Sequence, residues 1–73
     1  MEKTKWVVYY LEEDHELLLH QILGVCSTKE AAESFKEDKA VAQFIKLHPG
    51  YWASKYPTEA KQFIGIEEVL EYE

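Results

Sequence analysis

The sequence predicts an α+β domain in which a small three-stranded sheet carries helical cover on one face. Three observations support this fold class. Two runs rich in β-branched and aromatic residues lie early in the chain, a segment with helical spacing follows at about residues 28–47, and a third β-rich run lies near the end. The predicted order is β-β-α-β, and 73 residues suffice for a single domain, 1–73, with one core.

Two segments near the start of the chain predict a pair of strands. Lys5–Glu12 (KWVVYYLE) and Leu17–Cys26 (LLLHQILGVC) contain the β-branched, aromatic and leucine residues that strands favour. The acidic residues 13–16 form the turn, and so short a connection predicts antiparallel pairing. Gly24, inside the second strand, predicts a bulge or a close approach by another element.

A helical segment is predicted to begin directly after the second strand. Ser27-Thr28-Lys29-Glu30 matches the S-x-x-E capping box, so Ser27 is expected to cap the helix. The residues that follow at helical spacing on one face are Ala31, Ala32, Phe35, Val41, Ala42 and Ile45. Asp38 interrupts them, which leaves one bent helix or two helices with Asp38 as the second cap. We favour helices at 28–37 and 39–47, ended by Pro49.

An aromatic loop and a final strand complete the domain. Residues 51–57 (YWASKYP), called the aromatic loop below, have two interpretations. They form either a cover over the open end of the core or a protruding hot spot, because Trp and Tyr dominate binding energetics. Gln62–Tyr72 (QFIGIEEVLEY) predicts the third strand. The residues expected to share one of its faces are Ile64, Ile66, Leu70 and Tyr72.

Both faces of the predicted sheet are apolar. In the first strand Trp6, Val8 and Tyr10 alternate with a second apolar set, Val7, Tyr9 and Leu11. Such strands are typical of sheets buried on both sides, yet the chain has helix enough for one face. The aromatic loop, a second copy or a partner protein is expected to cover the other face, because a large exposed apolar patch favours aggregation.

These observations predict a non-enzymatic protein-interaction module. It would act through an apolar sheet face and the aromatic loop, either by self-association, with a homodimer expected, or by docking on a larger protein. Large aromatic side chains with a polar tip are the expected contact residues. The candidate partner-binding residues are Trp6, Tyr10, Tyr51, Trp52 and Tyr56.

The net charge is −6, from 14 acidic and 8 basic residues, and every basic residue is a lysine. Nucleic-acid binders usually carry a basic stripe with arginine, so direct binding of DNA or RNA is not expected. The candidate acidic surface comprises Glu12, Glu13, Asp14, Glu16, Glu67, Glu68 and Glu71. Its ordinary interpretation is solvated charge. The alternative function is an inhibitor, encoded by a phage or mobile element, that mimics nucleic acid and blocks a basic site on a host or defence enzyme.

Few residues have the spacing of a catalytic or metal site. Cys26 is expected to be a small apolar plug, because His20, which shares its strand parity, lies about 20 Å away along the strand. The three histidines and Cys26 lack metal-binding spacing, and Glu67 and Glu68 point to opposite faces of a strand. We therefore expect no enzymatic activity, no metal and no cofactor.

The sequence also bears on location and stability. One cysteine forms no internal disulfide, which fits a reducing cytosol. No basic-then-apolar leader opens the chain, and the longest apolar run, Trp6–Leu11, is too short to span a bilayer. We expect a cytoplasmic protein without membrane association. Small chains that lack disulfides and metals often rely on self-association.

Three short stretches carry a resemblance to a known group of domains. They are Gly24-Val25-Cys26-Ser27-Thr28-Lys29-Glu30-Ala31-Ala32, Pro49-Gly50-Tyr51 and Phe63-Ile64-Gly65-Ile66. In this order the chain resembles small uncharacterised α/β domains of bacteria and their phages, which enter the helix through a G-x-x-S-x-E-x-A pattern. The spacings on both sides of Pro49 are longer here than in that group. The resemblance implies strand-strand-helix-strand order and no catalytic residues.

Overall fold

The chain forms a three-stranded antiparallel sheet with helices packed on one face. The computed structural model describes residues 2–14, 16 and 18–72. Strand β1 (Glu2–Glu13) lies between β2 (Leu18–Cys26) and β3 (Ile64–Tyr72). Both edge strands are antiparallel to β1, so β2 and β3 run in the same direction and the helical segment crosses between the two edges. The predicted α+β class is confirmed.

Two consecutive helices, α1 (Lys29–Asp38) and α2 (Ala40–Leu47), follow β2. They agree within about one residue with the helices favoured from the sequence. The chain then forms a 3-10 helix at Trp52–Ser54, a short helix α3 (Pro57–Ala60) and a second 3-10 helix at Lys61–Phe63. These three short elements were not predicted, because a single helical turn has too few residues to show a periodic pattern.

The strand ends differ in detail from the prediction. β1 begins at residue 2 rather than 5, and β3 begins at Ile64, two residues late, because the second 3-10 helix occupies the predicted start. Leu17, the predicted first residue of β2, and His15 lie outside the described residues, as does the side chain of Tyr72.

The cap of α1 is Thr28, so the prediction of Ser27 was wrong by one residue. The Thr28 hydroxyl oxygen accepts a hydrogen bond of 3.1 Å from the Ala31 amide. Both residue types cap helices well, and the spacing to Glu30 favoured Ser27. With Thr28 as the cap, Ala31 takes the third helical position, and Glu30 is one residue too early to complete a capping box.

Helix α2 lacks the side-chain cap expected from Asp38. Lys39 occupies its cap position and makes no side-chain capping bond, whereas the Asp38 carboxylate accepts from the Ser34 hydroxyl at 3.4 Å. The end of α2 follows the prediction. His48 closes the last turn, Pro49 cannot extend it, and Gly50 adopts a φ of +87°, which favours glycine.

A β-bulge interrupts β2 where Gly24 predicted an irregularity. Val8 pairs with Gly24, whereas Tyr9 pairs with Ile22, so Leu23 is the extra residue. A bulge shifts the alternation of one strand by one residue. As a result Leu23 is buried in the core. The residues after it lie on the face opposite to the one that regular alternation from Leu18 would give them.

The core lies between the helices and one face of the sheet. The buried residues are Val8, Tyr10, Leu23, Ala32, Ala40, Phe44, Ala53, Ala60 and Ile64. Tyr10 of β1 stacks on Phe44 of α2 with ring centroids 3.8 Å apart. Burial of the Phe44 ring contributes about 2–3 kcal/mol. Alanine and glycine let the layers approach closely: a Cβ at Gly24 would lie only 3.0 Å from the Phe35 ring of α1.

Candidate functional site

No element that the structure describes covers the sheet face opposite the helices. This surface, called the open face below, is built on Val7, Tyr9 and Leu11 of β1 and on their neighbours in the two edge strands. The exposed large apolar side chains on it are Leu18 (67% exposed), Val25 (60%), Ile22 (54%) and Leu11 (38%). All four lie on the β1–β2 half of the face.

Tyr9 occupies the centre of the open face and contacts both edge strands. Its ring lies over Gly65 of β3, where an added Cβ would be 2.6 Å from the Tyr9 ring. Its ring also meets His20 of β2 edge-on, with centroids 5.5 Å apart. Gly65 therefore provides the space for an aromatic side chain that packs across all three strands, a known way of compensating a glycine in a sheet.

Charged side chains bound the apolar patch at its two ends. Lys3 and Lys5 follow the open-face alternation near the start of β1, and Glu13 follows it at the end of β1. Lys5 and Glu13 are eight residues apart, or about 27 Å along an extended strand. Glu71 pairs with Lys3 and Glu67 pairs with Val7 on the same face, so lysines and carboxylates are mixed near the start of β1 and a carboxylate lies at its end.

The five predicted partner-binding residues do not lie together on this face. Trp6 and Tyr10 belong to the opposite alternation of β1, where Trp6 packs against the core and Tyr10 is 0% exposed. Tyr51 and Trp52 pack against the same core, and Tyr56 is half-exposed on the aromatic loop.

None of the four exposed apolar residues of the open face is among the five candidate partner-binding residues. The reason is that an apolar strand does not show which of its faces the helices cover. The charges give no signal either, because both parities of β1 end in charged residues: Lys3 and Glu13 on one, Glu2 and Glu12 on the other.

Glu12 holds the aromatic loop against the end of the core. Its Oε1 accepts hydrogen bonds from the Tyr10 hydroxyl (2.6 Å), the Tyr51 hydroxyl (2.9 Å) and the Trp52 indole (3.1 Å). Burial raises the pKa of the Tyr10 and Tyr51 phenols, and the adjacent Glu12 carboxylate raises each pKa further. Glu12 was predicted as part of an acidic surface, but the structure gives this carboxylate a role in packing.

The other predicted acidic residues are spread over the molecule. Glu13, Asp14 and Glu16 lie at the β1–β2 turn, and a shallow cleft there is lined by Glu12, Glu13, Asp14 and Phe63. Glu67 and Glu71 follow the open-face alternation of β3, whereas Glu68 lies on the helix side. Glu67 pairs with Val7, six residues or about 20 Å along β1 from Glu13.

Cys26 and His20 lie on opposite faces of the sheet, so the predicted shared parity was wrong. Cys26 pairs with Trp6 on the helix side, and His20 pairs with Leu11 on the open face. The bulge at Leu23 lies between them and reverses the alternation. Within the described ranges, no group of three or more His, Cys, Asp or Glu residues is arranged to hold a metal ion.

The fold and the open face together define a class of protein: a two-layer α+β domain with one apolar sheet face uncovered. No protein-family model matches the sequence, and no curated protein or solved structure shows significant similarity to it. The resemblance to bacterial and phage domains stays a prediction. Across the described residues, no helix has the length and apolar character needed to cross a membrane.

Proposed function

We propose that this protein is a non-enzymatic protein-interaction module whose binding surface is the open face. The single observation that carries the proposal is the contiguous group of exposed Leu11, Leu18, Ile22 and Val25. Scattered apolar side chains are normal on a protein surface, whereas a contiguous patch is typical of an interaction site.

The strand register supports contiguity. Ile22 pairs with Tyr9 and Val25 pairs with Val7, so their side chains are direct cross-strand neighbours, with Cβ atoms about 5 Å apart. Full burial of one Leu, Ile or Val side chain contributes about 1.5–3 kcal/mol, so covering the four half-exposed side chains is worth on the order of 4 kcal/mol. That amount suits reversible binding of a protein surface.

The test compares an open-face variant with a matched control. Leu18→Thr/Ile22→Thr keeps residues suited to strands but removes apolar surface. The control Leu70→Thr changes a half-exposed leucine on the helix side of β3. Each chain is immobilised and used to retain proteins from a cell extract at low and high salt, and each retained protein is then purified and titrated.

The expected result is a discrete protein that binds the unchanged chain and the Leu70→Thr control but not the double variant. Binding should persist at high salt, because apolar contact is not screened. Equal retention by the double variant would overturn the proposal. Binding lost on raising the salt would point instead to the acidic side chains.

A further inference from the structure

We infer that the partner is an extended segment of another protein, which adds as a fourth strand along the outer edge of β2. The inference rests on the proposed function and names the form in which the partner binds. The segment alternates apolar side chains, directed to the open face, with uncharged polar side chains directed to the helices.

The outer edge of β2 presents backbone groups to which no described strand is bonded, because β1 pairs with its inner edge. The Ile22 carbonyl accepts a hydrogen bond of 3.1 Å from the Gln21 side-chain amide, which places that carbonyl on the outer side of the strand. Residues whose backbone groups point to one side alternate along a strand, so Leu18 and His20 share this side with Ile22. All three are exposed, and such a row of backbone groups is a template for another strand.

The two edges of the sheet differ in charge. β2 contains no charged residue, whereas β3 carries Glu67, Glu68 and Glu71. Charged side chains are a common protection of edge strands against pairing, so β3 is protected and β2 is open to a strand. Basic segments are drawn to the carboxylates of β3 rather than to β2. The segment that fits β2 is therefore uncharged.

The side chains beside this edge set the pattern of the segment. Directly opposite residues of paired strands have side chains on the same face, so the residues opposite Leu18 and Ile22 lie beside exposed apolar groups. On the helix side, Gln21 Oε1 and His48 Nε2 lie 3.3 Å apart in a hydrogen bond, and they offer polar contacts to the residues in between. In strand addition the backbone hydrogen bonds supply affinity and the alternate side chains supply specificity.

A flexible segment fits this edge better than a second folded copy does. The bulge at Leu23 ends the regular part of the edge, so two copies of β2 pair only over residues 18–22. So short a contact buries less area than a specific dimer interface, and each copy also brings a net charge of −6. An extended segment needs only main-chain hydrogen bonds along the edge, and it can follow the bulge.

Amide hydrogen exchange, followed by NMR, tests the inference with a synthetic peptide. The probe has nine residues, the length of β2, and alternates valine with threonine. At about nine-tenths saturation the outward amides of Leu18, His20 and Ile22 should exchange about tenfold more slowly, because only the free tenth of the chain exchanges. A peptide of the same composition with its valines grouped together is the control and should leave their exchange unchanged. Absence of protection at the highest soluble concentration of the alternating peptide overturns the inference.

Two proline variants show which edge the peptide uses. His20→Pro removes one outward amide of β2, and proline is tolerated at such edge positions. The matched control is Glu68→Pro on β3, which runs in the same direction at the opposite edge and so points its helix-side residues outward. His20→Pro should weaken peptide binding by about tenfold, whereas Glu68→Pro should leave it unchanged. The Gln21 amide, which faces β1, should stay protected in both variants and so reports that the strand is intact.

The outcome is distinguishable from that for the proposed function. If Leu18→Thr/Ile22→Thr loses a protein from the extract while His20→Pro retains it, binding through the open face stands and strand addition is wrong. If the same outward amides become protected when the chain alone is concentrated, the occupant is a second copy and the inference is overturned.

Discussion

The carboxylate of Glu12 is the point at which the sheet and the aromatic loop are joined. One oxygen accepts from two phenols and an indole, and all three donors are neutral. Hydrogen bonds to an ionised group are stronger than neutral ones. Tyr10 reaches Glu12 from two residues earlier on the same face of β1, while Tyr51 and Trp52 come from the loop. One side chain thus links the core to the segment that covers its end.

The raised pKa values of Tyr10 and Tyr51 predict a loss of stability at alkaline pH. In the unfolded chain both phenols ionise near pH 10, whereas the folded chain holds their protons to higher pH. Their contribution is therefore fully present below about pH 10 and decreases as the pH rises above it, because the unfolded state then binds fewer protons. Urea unfolding from about pH 8 to about pH 11 should show a steep fall in the free energy of unfolding.

The variant Tyr10→Phe/Tyr51→Phe should flatten this alkaline decline, since the two shifted groups are gone. Tyr56→Phe, which changes a half-exposed tyrosine, is the control and should keep the decline of the unchanged chain. An equally steep decline in the double variant would show that other groups cause it.

At the scale of elements, the sequence predicts most of the strands and helices, because they depend on local residue patterns. β1 and β2 follow from residues that favour strands, α1 and α2 follow from helical spacing, and Gly24 correctly marks both the bulge and the close approach of Phe35. The face covered by the helices is a tertiary property, and therefore Trp6 and Tyr10 were assigned to a partner surface although they pack on the helix side. The bulge at Leu23 also reversed the parity of half of β2, which alternation alone does not show.

The docking of the aromatic loop predicts a matched pair of outcomes for Glu12 and Glu13. Glu12→Ala removes the shared acceptor of Tyr51 and Trp52 and should lower the free energy of unfolding by about 1–3 kcal/mol. Glu13→Ala removes an exposed neighbouring carboxylate and should change it by less than about 0.5 kcal/mol.

Fluorescence reports the loop directly. In a Trp6→Phe background Trp52 is the remaining tryptophan, and Glu12→Ala should make it more accessible to acrylamide, whereas Glu13→Ala should not. Equal quenching of all three chains would show that apolar packing alone holds the loop.

At the scale of the whole molecule, one face of the sheet is covered by the helices and the other face is exposed. The helix side buries Tyr10 and Phe44 completely, with no buried polar side-chain atom left without a partner among the described residues. The open face leaves leucine, isoleucine and valine in water. A domain of this size has a small net free energy of unfolding. Covering the open face would therefore increase that free energy substantially.

The homodimer expected from the sequence would give the chain a melting temperature that depends on concentration. Association shifts unfolding by mass action, and for a dimer of this length each tenfold rise in concentration should raise the melting temperature by about 3–5 °C. Leu18→Thr/Ile22→Thr should melt at a temperature independent of concentration, because it removes the contact, while Leu70→Thr should keep the dependence. Calorimetry over a hundredfold range of concentration makes the measurement. A constant melting temperature in the unchanged chain would identify the single chain as the stable unit and leave the open face to a different protein.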